Sequence, residues 1–116
     1  MSLHPIPEQW RKAVCAVLRT ADRRLIIYTD DASKRFEATI PDAFPYELRE
    51  SFRAHLESNA CVGCPVTMSK PSGATWEFFF NFRNQKLYGK ILLRPDAKSI
   101  VIFSAHTPLK PTLSCE

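Results

Sequence analysis

The chain has 116 residues, 45% hydrophobic and 24% charged, a balance that suits one globular domain and argues against disorder. No apolar run approaches the ~20 residues that span a bilayer, and Met1 to Pro5 lacks a basic-then-apolar leader, so a cytoplasmic protein away from membranes is expected. Sixteen Lys and Arg against twelve Asp and Glu leave +4 at pH 7, which permits a polyanionic partner without demanding one.

In chain order, Pro7 can open a helix, with Glu8 at the positive end of its dipole. Trp10, Val14, Val17, Leu18 and Ala21 then recur at helical spacing and predict a helix over 7–20. Leu25-Ile26-Ile27-Tyr28 is short, apolar and β-branched, as a buried strand is. Residues 31–40 admit two readings. Ala32, Phe36 and Ile40 fit a helix face, whereas Phe36, Ala38 and Ile40 fit strand alternation. Asp31 as a cap and Pro41 as a stop favour the helix. Phe44, Leu48, Phe52, His55 and Leu56 form one stripe that predicts a helix over 45–58, with Asn59 as its terminator.

The second half reads as strands. Val66 to Lys70 alternates and meets a turn at Pro71-Ser72-Gly73. Thr75 to Phe82 is aromatic, with Trp76, Phe78, Phe80 and Phe82 on one face by parity. These four either pack beneath the helices or, if exposed, stack nucleobases. A turn at Asn84-Gln85 leads to a strand over 87–93. Another turn, Pro95 to Lys98, leads to a strand over 99–104 that is apolar on both faces and hence central. The fold class expected is α+β. Two or three N-terminal helices with a short strand pack on a C-terminal antiparallel meander of four to five strands. One domain is expected over 1–116, with 108–116 a loosely ordered tail.

Four cysteines stand at 15, 61, 64 and 115. Without an export signal they are expected as thiols, Cys15 packed as a small hydrophobe and Cys115 frayed near the end. Cys61 and Cys64 form a CxxC, but a zinc site needs about four ligands and no second pair follows at finger spacing. Two semi-buried thiols in a Gly-Pro turn is the plainer reading. The metal reading takes Cys61, Cys64 and His55, with Cys115 as a fourth ligand. Otherwise no cofactor is expected. Glycines occur only at 63, 73 and 89, which excludes the Gly-rich phosphate loops of nucleotide-binding enzymes, and Ser104 lacks a nucleophile-elbow context.

The stretch WEFFFNFRNQKLYGKILLRPDAKSIVIFSAH, residues 76–106, resembles the C-terminal sheet of the small RelE-type and MqsR-type ribonuclease toxins. The likeness lies in an aromatic strand, then Tyr88-Gly89-Lys90-Ile91, then a hairpin to Ile102-Phe103-Ser104-Ala105-His106. The upstream LIIYTDDASKRF resembles the strand-then-helix start of related small bacterial domains. The resemblance covers about half the chain in element order and short strings. It implies a metal-independent ribonuclease, with RNA as substrate and a protein antitoxin as partner. The cysteine pair, the aromatic density and the Pro-rich tail depart from that pattern.

Metal-free RNA cleavage needs a base for the 2′-hydroxyl, cations for the crowded phosphate and an acid for the leaving oxygen. His106, past a central strand, supplies an imidazole near its working pH. Lys90 and Tyr88 share a strand face by parity, and Arg83 ends the strand before. Arg94, Lys86 and Arg35 are the candidate substrate-binding cations. On the plainer reading these charges are the solvated face of an antiparallel sheet and His106 is a loop residue. Convergence of His106, Lys90 and Arg83 on one cleft discriminates between the two. The alternative function is a non-catalytic binding or inhibitor module for nucleic acid or protein, of the kind phage and mobile elements carry. Strand edges also allow a homodimer.

Overall fold

The computed structural model describes residues 3–58, 61–68 and 72–116. The elements in chain order are β1 (His4–Pro5), α1 (Glu8–Thr20), β2 (Ile26–Tyr28), α2 (Asp30–Thr39), α3 (Pro45–Leu56), β3 (Val62–Val66), β4 (Ala74–Phe82), β5 (Gln85–Leu93) and β6 (Ile100–His106). The α+β class holds, with three helices and one six-stranded sheet ordered β1-β3-β4-β5-β6-β2 among the described residues.

Two features of the sheet correct the expected meander. First, it is mixed and has six strands among the described residues. β2 pairs parallel to β6, Ile26 opposite Ile100 and Tyr28 opposite Ile102, so the early apolar run closes the far edge. Second, the strand expected over Val66 to Lys70 lies earlier, at Val62–Val66, on the CxxC itself. Its partner register, Cys64 opposite Glu77, places a cysteine in the ladder rather than in a turn. Residues 69–71 of the predicted strand and turn, and the terminator at 59, lie outside the described residues.

The ambiguous segment is helical. Its cap is Thr29 rather than Asp31: the Thr29 hydroxyl accepts from the Ala32 amide at 3.1 Å. Asp30 and Asp31 occupy the first turn, where they favour the dipole, and Arg35 pairs with Asp31 at 3.2 Å. Helix α3 opens with Pro45, and its N-terminal end is capped by Glu47, whose carboxylate accepts from the Phe44 amide at 2.7 Å.

All three helices contribute to one core against one sheet face. Phe52 of α3 packs on Phe80 and Phe78 with ring centroids 4.6 and 5.9 Å away, and Phe36 of α2 meets Phe82 edge-on at 5.5 Å. The β4 aromatics Phe78, Phe80 and Phe82 are therefore buried beneath helices, and base stacking on them is excluded. His55 lies flat on Phe78 at 5.2 Å, at the edge of this core.

The opposite sheet face lies away from this core and is bordered by Asp31 and Arg35 of α2. Register and alternation place Glu77 of β4, Lys90 of β5 and Ser104 of β6 in one row across it, with Phe79, Tyr88 and His106 in the next. On β6 this depends on a bulge. Lys90 pairs with Ser104 but Ile91 pairs with Ile102, leaving Phe103 extra. Ile102 faces the core and Ser104 the open side although both are even-numbered. Without the extra residue, Ser104 and His106 would share the inward face of Ile100 and Ile102.

A candidate active site on the open sheet face

The two rows, Phe79 excepted, form the floor of a cleft of about 560 Å³. Glu77, Tyr88, Lys90, Ser104 and His106 line it from the sheet, Asp31 and Arg35 from α2, and the segment after β6 from above. His106, Lys90, Tyr88 and Arg35, singled out in the sequence, are thus brought together.

The other three candidates are not. Arg83 lies in the β4–β5 turn at φ 49° and turns back under α3. There it binds Glu47 at 2.8 Å and Asp42 at 2.9 Å. Two carboxylates distant in sequence compete for its guanidinium and draw it out of the cleft. Lys86 lies at the other end of β5 with its ammonium 4.2 Å from the Phe79 ring centre, a cation–π contact. Arg94 stands beyond β5 in the turn to β6, its amide donating to the Ser99 carbonyl at 3.1 Å.

Within the cleft the polar groups are specifically engaged. His106 is only 7% exposed. Its Nδ1 lies 2.8 Å from the Thr107 carbonyl oxygen, which can only accept, so Nδ1 carries the proton and Nε2 is the ring nitrogen left for a ligand. The Tyr88 ring packs on the imidazole at 5.4 Å. The Tyr88 hydroxyl donates to one Glu77 oxygen. Burial raises the Tyr88 pKa far above that of a free phenol, and the Glu77 hydrogen bond and charge raise it further. Tyr88 is therefore a donor here and not a base. The other Glu77 oxygen accepts from the amide of Ser114 at 2.9 Å and from its hydroxyl. Burial pushes the Glu77 pKa up, but the bonds from Ser114 and Tyr88 and the charge of Lys90 outweigh it, so the pKa is lowered and the carboxylate is charged. Lys90 also lies over Phe103, 5.6 Å from the ring centre.

Glu77 was not singled out in the sequence. Its signal was a lone carboxylate in the aromatic run from Trp76 to Phe80, on the face opposite the core aromatics by parity. Ser114 had no signal, because the contact spans 37 positions.

The cysteines also differ from expectation. Cys64 and Cys115 form a disulfide, so Cys115 is anchored rather than frayed and the CxxC does not act as a pair of thiols. That removes Cys64 as a metal ligand, and His55 is committed to Phe78. No group of three or more potential metal-ligating side chains occurs among the described residues. Cys61 remains a buried thiol, its pKa pushed up to about 11 by burial, and Cys15 is buried and free as well. No helix among the described residues is long and apolar enough to cross a membrane.

Comparison with protein families, with curated proteins and with solved structures returns no match.

Proposed function

We propose that the cleft binds single-stranded RNA and cleaves it without a metal ion, as the small ribonuclease toxins do, with a protein antitoxin as the natural partner. Support comes from one observation above the others. A carboxylate, an ammonium and an imidazole stand on three adjacent strands, on one open face, in two neighbouring rows. Glu77 takes the proton of the 2′-hydroxyl, whose oxygen attacks the adjacent phosphorus. His106 Nε2 in its protonated form gives a proton to the departing 5′-oxygen. The O2′–P bond forms and the P–O5′ bond breaks, leaving a 2′,3′-cyclic phosphate and a 5′-hydroxyl. Lys90 and Arg35 neutralise the phosphate as its charge concentrates. Tyr88 is a positioning residue that orients Glu77.

A second reading, an RNA-binding or inhibitor module without catalysis, draws on the engagement of both Glu77 oxygens. Cleavage separates the two. Purified protein, oxidised and reduced, is incubated with varied RNAs in EDTA beside a folded His106→Ala/Lys90→Ala variant. The ribonuclease reading expects cleavage that falls at least ~100-fold in the variant. Folded wild-type protein that binds RNA but leaves every substrate intact in both redox forms would establish the binding module instead.

A further inference from the structure

The cleft is roofed by its own chain. After β6 the segment Thr107–Glu116 has neither helix nor strand, yet its end is fixed to the open sheet face. Leu113 is buried at 4% exposure. Ser114 donates twice to Glu77, and Cys115 is bonded to Cys64. The amides from Leu113 to Glu116 all have acceptors: Glu116 Oε2, Glu77 Oε2, Cys64 Sγ and the Leu113 carbonyl in turn. Cys64 stands directly opposite Glu77 in the β3–β4 ladder. The covalent tether and the hydrogen-bonded latch therefore act side by side.

We propose that the Cys64–Cys115 disulfide is a redox latch that holds this strap over Glu77, and that a dithiol reductant opens the cleft by breaking it. The regulatory consequence rests on the ribonuclease reading above; the opening itself does not. As the strap lies, Tyr88 engages one Glu77 oxygen and Ser114 the other, so a substrate hydroxyl meets no free carboxylate oxygen. Releasing Ser114 frees one of them and removes donors that keep Glu77 a weak base. The attacked sulfur is that of Cys115, which is half-buried, whereas Cys64 is fully enclosed. A thiolate of the reductant displaces Cys64, and its second thiol then displaces Cys115. The protein gains two electrons and two protons as two thiols, and the reductant leaves as its own disulfide. One buried leucine and a few hydrogen bonds then oppose the conformational entropy of a free chain end.

The test follows hydrogen exchange and RNA cleavage in the full chain, oxidised, reduced with dithiothreitol, and as a Cys115→Ser variant without reductant. The expected result is at least tenfold faster exchange of the backbone amides at positions 114 and 115 in the reduced and variant proteins. The amides of β5 and β6 remain protected, and RNA cleavage rises at least tenfold. Unchanged exchange in the tail, once thiol titration shows the bond reduced, overturns the latch. Parallel loss of protection in β5 and β6 also overturns it, because the disulfide is then a staple of the whole fold. A released tail with equal cleavage in both redox forms overturns closure of the cleft. A released tail with no cleavage in any form upholds the latch and removes the ribonuclease reading.

Discussion

Glu77 and His55 are ionisable groups that the fold treats in opposite ways. Burial works against the charge of Glu77, but Ser114, Tyr88 and Lys90 overcome it and the pKa falls. Its contribution to stability is present above the unfolded carboxylate pKa and is lost as pH drops through the lower, folded value. His55 has no such help. Its Nε2 is buried without a partner among the described residues, and burial lowers its pKa. Between that lowered value and the ordinary ~6.5 the unfolded chain binds more protons than the folded one. The His55 penalty is therefore absent above about pH 6.5 and grows on acidification through that window. His55→Phe keeps a flat ring on Phe78 and removes the unpaired nitrogen. The variant is expected to gain about 1 kcal/mol at pH 5.5 and less at pH 7.5, measured by urea unfolding at both pH values. Equal changes at the two pH values would show that His55 does not carry this slope.

At the scale of elements, the site depends on how closely α3 approaches β5 and on the bulge in β6. A Cβ at Gly89 would lie 3.0 Å from Cε1 of Phe52 and 3.1 Å from Cε1 of Phe80. Gly89→Ala is thus expected to overpack the interface and cost about 1–3 kcal/mol, seen as a lower thermal midpoint. An unchanged midpoint would mean that α3 yields freely. Helices α1 and α3 and strands β4 and β5 were legible in the sequence, because long periodic stripes and turn residues agree there. Segment 31–40 was ambiguous because Phe36 and Ile40 fit both periods, and it is a helix capped by the hydroxyl of Thr29. The parallel pairing of β2 with β6 was hidden, since the two strands are more than 70 positions apart and carry similar apolar runs. The bulge was hidden too. Residues 100–103 are apolar on both faces, so alternation within that run does not mark Phe103 as the extra residue that turns His106 outward.

For the whole molecule, helices cover one sheet face and a disulfide-tied chain end covers the other. Of the candidate site, Tyr88 and Lys90 were legible, because local parity places them on one strand face; His106 was marked by its residue type, but its place as the last residue of β6 and its outward direction were not, because they depend on the bulge. Arg83, Lys86 and Arg94 were misplaced, because charge alone does not say which partner a long side chain finds. The tail was read as loose because nothing local orders it. Its order comes from Cys64, 51 positions away in sequence, and from Glu77. The net charge of +4 suits a phosphodiester partner, but the proposed reaction turns on the rows that hold Glu77, Lys90 and His106. Analysis of the RNA ends decides that chemistry, using reduced protein in EDTA and an oligonucleotide with a 2′-deoxy sugar at one cleaved position. Attack by the 2′-hydroxyl leaves 2′,3′-cyclic phosphate and 5′-hydroxyl ends, with no cleavage at the deoxy position and none by folded Glu77→Gln or His106→Ala protein. Ends bearing a 5′-phosphate, or cleavage that persists at the deoxy position, would overturn the proposed reaction.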